Sequence, residues 1–176
     1  GDYIVHYDVH IIDAVVWALG KVPVAAMGAS AAFRPSVHGD ARDSSTVVYL
    51  FDDGTVWCHQ GLLGSYHDWL KAGRLTASLQ GTQAAACLSY AGKSYVRGGP
   101  RHFSGGVPNP EASVRTNIDE FRQAIGSGDA SNAQVMRAVE SNFAAILGRE
   151  AAARRRLVTL DELLQENAAL QPDLKG

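Results

Sequence analysis

The first strong periodicity along the chain is helical and lies close to its start. Apolar residues recur three and four positions apart over 10–19, which predicts a helix with one buried face. Gly20 is a suitable residue to end it. His10, Asp13 and Trp17 are also three and four positions apart, so they share a second face of the same helix.

The pattern then changes to that of β-strands. Residues 22–33 are expected to form a strand rich in small residues, followed by a polar loop over 34–45. Two β-prone runs, 46–51 and 55–60, flank an Asp-Gly turn at 52–54, which indicates a hairpin. Further strands are expected over 75–80, 84–90 and 93–97. Because the connections are too short for crossover helices, the sheet should be largely antiparallel.

Helices follow the strands instead of alternating with them. The Gly- and Pro-rich stretch 98–110 is expected to be a loop, after which Asn109 and Pro110 begin a helix. Capping boxes at Ser131 with Gln134 and at Thr159 with Glu162 begin two more. The apolar positions on the first two helices are Val114, Ile118, Phe121 and Ile125, then Val135, Val139, Phe143 and Ile146.

This order predicts an α+β fold. We expect a largely antiparallel, mixed sheet with helices packed on one face and the other face open for substrate and oligomer contacts. The 176 residues, 46% hydrophobic and 19% charged, suit a single globular domain over 1–176.

Composition excludes several partners. No apolar run approaches the roughly 20 residues that span a bilayer, and a formal net charge of -2 gives no footprint for nucleic acid. We therefore expect neither membrane nor nucleic-acid binding and a cytoplasmic location, unless an upstream segment directs export. Cys58 and Cys87 lack metal-site spacing, so we expect two small core residues of a reduced protein, the alternative being a disulfide between neighbouring strands.

Titratable groups crowd the start of the first helix: His6, Asp8, His10 and Asp13. A histidine with a carboxylate in reach suits acid–base work near neutral pH. Two histidines four positions apart with an aspartate also suit a divalent metal. The plain structural interpretation is a hydrogen-bonded pair of His10 and Asp13 at the helix start.

A second candidate group lies on or just after the predicted strands: His59, Tyr66, His67 and His102. On the uncovered face of the sheet such side chains would line a substrate cleft, although solvated surface positions fit them as well. The chain contains no G-x-G-x-x-G, no P-loop and no G-x-S-x-G. It should therefore neither cradle a dinucleotide in the usual way nor present a serine nucleophile.

Taken in order, these segments resemble a known family. The chain has H-x-x-D followed by apolar residues, Trp and Gly; K-V-P-V at a strand; a D-G hairpin; and then R-T-N-I-D-E-F-R-Q-A-I, S-N-F-A-A-I-L-G-R-E-A-A and L-D-E-L-L-Q-E-N. This is similar to the C-terminal α/β domain of the Gfo/Idh/MocA oxidoreductases, over nearly the whole chain.

The resemblance implies a domain that supplies the substrate face and the oligomer contacts, while an N-terminal Rossmann domain outside this chain binds NAD or NADP. It implies that His10 is the acid–base residue, with a lysine of the N-terminal domain as its partner, and that Asp13 is the family aspartate. One position departs from the family: His6 stands where catalytic members carry aspartate, which changes the charge beside the reacting hydroxyl.

Three functions remain open from the sequence. The first is oxidation or reduction of a sugar, cyclitol or related polyol, with His10, His6 and Asp13 as the catalytic group and a homo-oligomer formed through the sheet. The second is NAD-assisted glycoside hydrolysis, which some relatives perform. The third is a mainly structural dimerisation domain, whose alanine-rich strands allow close approach of two sheets.

Overall fold

The computed structural model describes residues 2–33, 39–63, 75–90, 92–99, 103–106, 110–132 and 134–168. Its helices are α1 (Tyr3–His6), α2 (Val9–Leu19), α3 (Pro110–Ser127), α4 (Gln134–Arg154) and α5 (Leu160–Glu166). Its strands are β1 (Ala25–Ala31), β2 (Ser44–Leu50), β3 (Val56–Leu62), β4 (Thr76–Gln80), β5 (Ala85–Ser89), β6 (Lys93–Arg97), β7 (Phe103–Gly106) and β8 (Val158–Thr159).

The described strands form two four-stranded sheets. Sheet A has the order β3-β2-β1-β8 and sheet B the order β4-β5-β6-β7. Every pairing in them is antiparallel, and the expected hairpin around Gly54 joins β2 to β3. The α+β prediction is confirmed. The structure differs in dividing the strands between two sheets, and in placing β7 within the stretch 98–110 that we expected to be only a loop.

One helix, α2, packs against both halves of the molecule. Ile12 and Val16 join the larger core between sheet A and α4, whereas Ile11 and Val15 form a smaller core with Ala77 of β4. The predicted helix is thus confirmed, and Gly20 ends it with a left-handed φ of 66°, which glycine adopts without strain. Since both sides of α2 are buried, its position is fixed by both sheets.

Helix α4 packs on sheet A through small residues, not through the larger apolar side chains that the sequence pattern emphasises. Its buried positions are Ser141, Ala144, Ala145, Leu147, Gly148, Ala151 and Ala152. Val135 is 55% exposed. A Cβ on Gly148 would collide with the hydroxyl of Tyr49, so glycine lets α4 approach β2 closely.

Helix α3 carries its apolar stripe on an exposed surface. Val114, Ile118, Phe121 and Ile125 are 52–68% exposed, and no side chain of α3 belongs to either core of the described residues. The stripe predicted from the sequence therefore exists as a pattern, but it does not contribute to the core of this chain.

The capping predictions have different outcomes. Thr159 caps α5 as expected, with its Oγ1 accepting from the backbone N–H of Glu162 at 3.1 Å. The predicted capping box of Ser131 with Gln134 is wrong, because the N–H of Gln134 donates to Oδ1 of Asn132 at 2.8 Å. The Ser131 hydroxyl donates to Asp129 at 2.6 Å.

Both cysteines are free. Cys58 is exposed on β3 and Cys87 is half-buried on β5, so the expectation of two core residues is wrong for Cys58. The register of β3 places Cys58 opposite Val48 of β2, on the face of sheet A that alternates with its buried positions. Among the described helices, none is both long and apolar enough to cross a membrane.

Candidate functional site

The start of the chain folds as two short helical segments that meet at Tyr7 and Asp8. The N–H groups of Ile11 and Ile12 both donate to the carbonyl of Asp8 at 3.0 Å, so Asp8 is the residue from which α2 begins. His10 is the second residue of α2 and therefore lies in its first turn. Its position depends on how the backbone enters the helix at Asp8.

Aromatic rings lie in a row along this entrance. Tyr3 stacks on Tyr7 at a centroid distance of 5.2 Å, and Tyr7 meets the edge of His10 at 6.2 Å. The ring of His10 stacks on Tyr90, just after β5, at 4.5 Å and an interplanar angle of 19°. His10 is exposed. We call these four residues the aromatic row, and it presents an imidazole held between two phenol rings.

Asp8 turns to the opposite side of the helix start. Its carboxylate is bonded to Nε2 of His59 on β3 at 2.9 Å, and the two residues are 2% and 4% exposed. His59 pairs in register with Val47 of β2, so it lies on the helix-covered face of sheet A. The sequence left open a cleft position on the uncovered face or a solvated position for His59; neither applies, because the odd-numbered positions of β3 face inward.

Gly61 makes this pair sterically feasible. A Cβ at Gly61 would collide with Oδ2 of Asp8 and lie 3.3 Å from Nε2 of His59. The absence of a side chain two positions after His59, on the same face of β3, leaves space for the carboxylate. The Asp8–His59 hydrogen bond could not be predicted from the sequence, because a contact between residues 51 positions apart leaves no local periodicity. The glycine two positions after His59 is its one local signal.

The other members of the predicted catalytic group do not join His10. The carboxylate of Asp13 accepts a hydrogen bond from Ser141 Oγ of α4 at 2.5 Å, so its observed partner is structural. His6 is exposed at the end of α1. Within the described residues no three histidine, cysteine or acidic side chains cluster in a way that would hold a metal ion.

A cleft opens beside this segment, between the edge strands β3 and β4. It has a volume of about 570 Å³, and Asp8, His59 and Tyr7 contribute to its walls. Its other polar walls include Gln60, Ser78 and Gln80. Tyr7 therefore belongs both to the cleft and to the aromatic row. Tyr66, His67 and His102, which the sequence suggested for a substrate cleft, lie outside the described residues.

Burial and the charge of Asp8 affect two tyrosines nearby. Burial first, and then the Asp8 carboxylate, raise the pKa of Tyr3 to about 12 from 10.0. The same causes raise the pKa of Tyr49. The Tyr49 hydroxyl is buried with no hydrogen-bond partner among the described residues, while its ring stacks on Trp57 at 5.0 Å. Both tyrosines are therefore neutral at physiological pH.

Comparison with known proteins identifies this fold. No protein-family model and no curated protein sequence matches the chain, whereas several solved structures do. An oxidoreductase from Agrobacterium radiobacter in complex with NAD⁺, L-tartaric acid and magnesium is 16% identical over 89% of this chain and 48% of its own, with a TM-score of 0.62.

Two other matching structures are of enzymes whose names give a carbohydrate substrate. Levoglucosan dehydrogenase, in complex with NADH and levoglucosan, is 14% identical over 87% of this chain and 48% of its own, with a TM-score of 0.66. Aldose-aldose oxidoreductase from Caulobacter crescentus, complexed with glycerol, is 15% identical over 86% and 45%, with a TM-score of 0.62.

The chain thus has the fold of one part of these oxidoreductases and spans about half of their length. The fold expected from the resemblance to the Gfo/Idh/MocA proteins is confirmed by these matches. At 13–16% identity the likeness establishes architecture, and the chemistry has to be argued from the residues.

Proposed function

We propose that this chain is the C-terminal substrate-binding domain of an NAD- or NADP-dependent oxidoreductase of the Gfo/Idh/MocA family, acting on a hydroxyl of a sugar, cyclitol or related polyol. The observation that carries the proposal is His10: an exposed imidazole in the first turn of α2, stacked on Tyr90, within a fold shared with sugar oxidoreductases. It stands at the histidine of the family motif.

His10 has the chemistry that this reaction requires. Oxidation of an alcohol removes a proton from the hydroxyl, and a neutral imidazole accepts a proton near pH 7. The stacking on Tyr90 holds the ring plane while leaving its nitrogens at the ring edge, where a hydroxyl can reach them. His6 is an exposed polar neighbour one helical segment away, and we assign it contact with substrate instead of the negative charge that aspartate would supply.

The cofactor belongs to the remaining part of such a protein. The described residues contain no glycine-rich turn between a strand and a helix of the kind that holds a pyrophosphate. A bound nicotinamide would accept the hydride from the carbon that bears the reacting hydroxyl. This chain's own contribution is to bind and orient the polyol and to take up the hydroxyl proton at His10.

The surroundings of His10 support the proposed substrate class. Aromatic faces pack against the C–H faces of a sugar ring, and neutral polar groups bind its hydroxyls. The aromatic row offers Tyr7 and Tyr90 beside His10, and the cleft next to Tyr7 adds amide and hydroxyl side chains at Gln60, Ser78 and Gln80. This lining suits a polyhydroxylated neutral molecule. Tyr66, His67 and His102 remain substrate-binding candidates, whereas the predicted candidate His59 is buried against Asp8.

The test uses the complete oxidoreductase that contains this chain. His10→Gln keeps a polar side chain but removes the proton acceptor, and we expect kcat with the best sugar or polyol to fall about a hundredfold or more. Arg122→Gln, an exposed change on α3, which contributes no side chain to either core, is the control and should keep wild-type turnover. Unchanged kcat in His10→Gln would show that the assigned role of His10 is wrong.

A structural role is compatible with the uncovered face of sheet A. Met27, Val56 and Leu62 are 47%, 58% and 54% exposed there, and such an apolar sheet face suits contact with a second copy. Leu62→Lys should weaken a dimer in sedimentation measurements, with Arg122→Gln on α3 as the control. A variant that remains as dimeric as the wild type would exclude this face as the contact.

A further inference from the structure

We propose that the buried Asp8–His59 pair is a positioning device for His10, fixing the first turn of α2 against β3 so that the imidazole stays stacked on Tyr90. This inference rests on the proposed function for its catalytic consequence. Its geometric content, that the pair determines where the His10 ring lies, is independent of any activity.

The Asp8 side chain does not cap the helix that Asp8 begins. Aspartate at the start of a helix commonly accepts a hydrogen bond from an N–H of the first turn. The Asp8 side chain makes no such cap, although its carbonyl accepts from Ile11 and Ile12. Its carboxylate goes to His59 Nε2 instead. The residue that begins α2 is thereby tied to a strand of sheet A instead of to its own helix.

The residues around Asp8 and His59 accommodate the hydrogen bond between them. Both partners are at least nine-tenths buried, and Gly61 leaves the space that the carboxylate occupies. Trp57, two positions before His59 on the same face of β3, lies over the histidine with ring centroids 5.5 Å apart. A carboxylate and an imidazole placed this deep are costly to separate, because either one alone would be left without its partner.

The Asp8–His59 pair and His10 lie close together along the chain. His10 is two residues after Asp8, within the same helical turn, and its ring is otherwise held by Tyr90 and the edge of Tyr7. Asp13, which could have oriented His10, is engaged with Ser141 on α4. A movement of the backbone at Asp8 therefore changes the position of the His10 ring directly, and small misplacements of a catalytic group reduce turnover strongly.

The decisive measurement is the proton resonance of the His10 ring in the complete oxidoreductase that contains this chain, with isotope-labelled histidine. Stacking on Tyr90 shifts this resonance by ring current, so it reports whether the stack is intact. Asp8→Ala and His59→Ala, which cannot form the hydrogen bond, should move it toward the position of free histidine and lower the exchange protection of the Ile11 and Ile12 amides. His59→Gln, whose amide can still donate to Asp8, should largely preserve both signals.

Val47→Ala is the matched control. Val47 is fully buried and pairs in register with His59, so its truncation destabilises the same region without touching the hydrogen bond. It should lower the unfolding midpoint and leave the His10 resonance in place. Gly61→Ala, which forces the carboxylate away while keeping both partners, should act like Asp8→Ala and serves if the latter does not fold.

In the complete oxidoreductase, Asp8→Ala should lower kcat about tenfold or more with a smaller change in KM, while Val47→Ala keeps kcat. An unmoved His10 resonance in Asp8→Ala or Gly61→Ala overturns the inference, and so does equal behaviour of His59→Gln and His59→Ala. If the resonance moves as expected but His10→Gln retains full turnover, the positioning holds and the proposed function fails.

Discussion

Replacing Gly148 by alanine sets two effects of known sign against each other. In the interior of a helix, alanine is favoured over glycine by about 0.5–1 kcal/mol. At this place on α4 the new Cβ would collide with the Tyr49 hydroxyl, lie 2.8 Å from Cζ of the same ring and 3.1 Å from Cδ1 of Ile4. Tyr49 is fully buried and has little room to retreat. Overpacking of this kind costs about 1–3 kcal/mol, so we expect a net loss of about 1–2 kcal/mol.

Tyr49→Phe makes the prediction specific. The hydroxyl is buried without a partner in the described part of the chain, and an unsatisfied buried polar group costs about 1–3 kcal/mol. The single variant should therefore be as stable as the wild type or more stable. In the double variant the closest clash is removed while the contact with Cζ remains, so part of the cost of Gly148→Ala should be recovered.

Urea unfolding of the wild type, the two single variants and the double variant gives the coupling energy between positions 148 and 49 directly. With an m-value of about 2 kcal/mol/M, Gly148→Ala should lower the midpoint by about 0.5–1 M. Gly126→Ala is the control on α3, where an added Cβ meets nothing within 4 Å, and it should increase helicity without loss of stability. A stabilising Gly148→Ala, or strict additivity with Tyr49→Phe, would refute the reasoning.

Three further predictions concern other parts of the fold. The pKa of Tyr3 is raised to about 12 from 10.0, so the folded chain holds the phenol proton up to a higher pH than the unfolded chain does. The resulting contribution to the free energy of unfolding is complete below pH 10 and should be lost as pH rises through about 12. Denaturant unfolding across this range, with tyrosinate absorbance, checks it. Thr159→Ala should destabilise the protein by about 1 kcal/mol through loss of the α5 cap, with Thr159→Ser retaining the wild-type midpoint. Phe121→Ser, at a side chain 68% exposed, should change stability by less than about 0.5 kcal/mol, and a larger loss would mean that α3 packs against the core.

Local patterns predicted those elements whose formation depends on local chemistry. The apolar spacing over 10–19 located α2, the Asp-Gly turn at Gly54 located the β2–β3 hairpin, and Thr159 located the start of α5. Each of these signals lies within a few residues of the structure that it specifies. The same local reasoning placed His10 on a second face of this helix, apart from its apolar stripe, and His10 is exposed.

Other features depend on contacts that no local pattern contains. The buried face of α4 consists largely of alanine, serine and glycine, which score weakly as apolar, so the pattern drew attention to Val135 and Val139 on the exposed side. Whether the stripe of α3 is covered depends on what packs against it. The Asp8–His59 contact joins a helix start to a strand across 51 positions, and it follows from the tertiary fold alone.

Because both sides of α2 are buried, the number of residues at the start of this helix cannot change. Adjacent residues, Ile11 and Ile12, belong to different cores, and each residue turns an α-helix by about 100°. Deleting or inserting one residue between Asp8 and Ile11 would rotate each apolar residue away from its own core and turn polar positions toward both. His10 would rotate with them and lose Tyr90. The first turn of α2 should therefore accept substitutions far more readily than changes in length, since its register aligns two cores and the reacting imidazole at once.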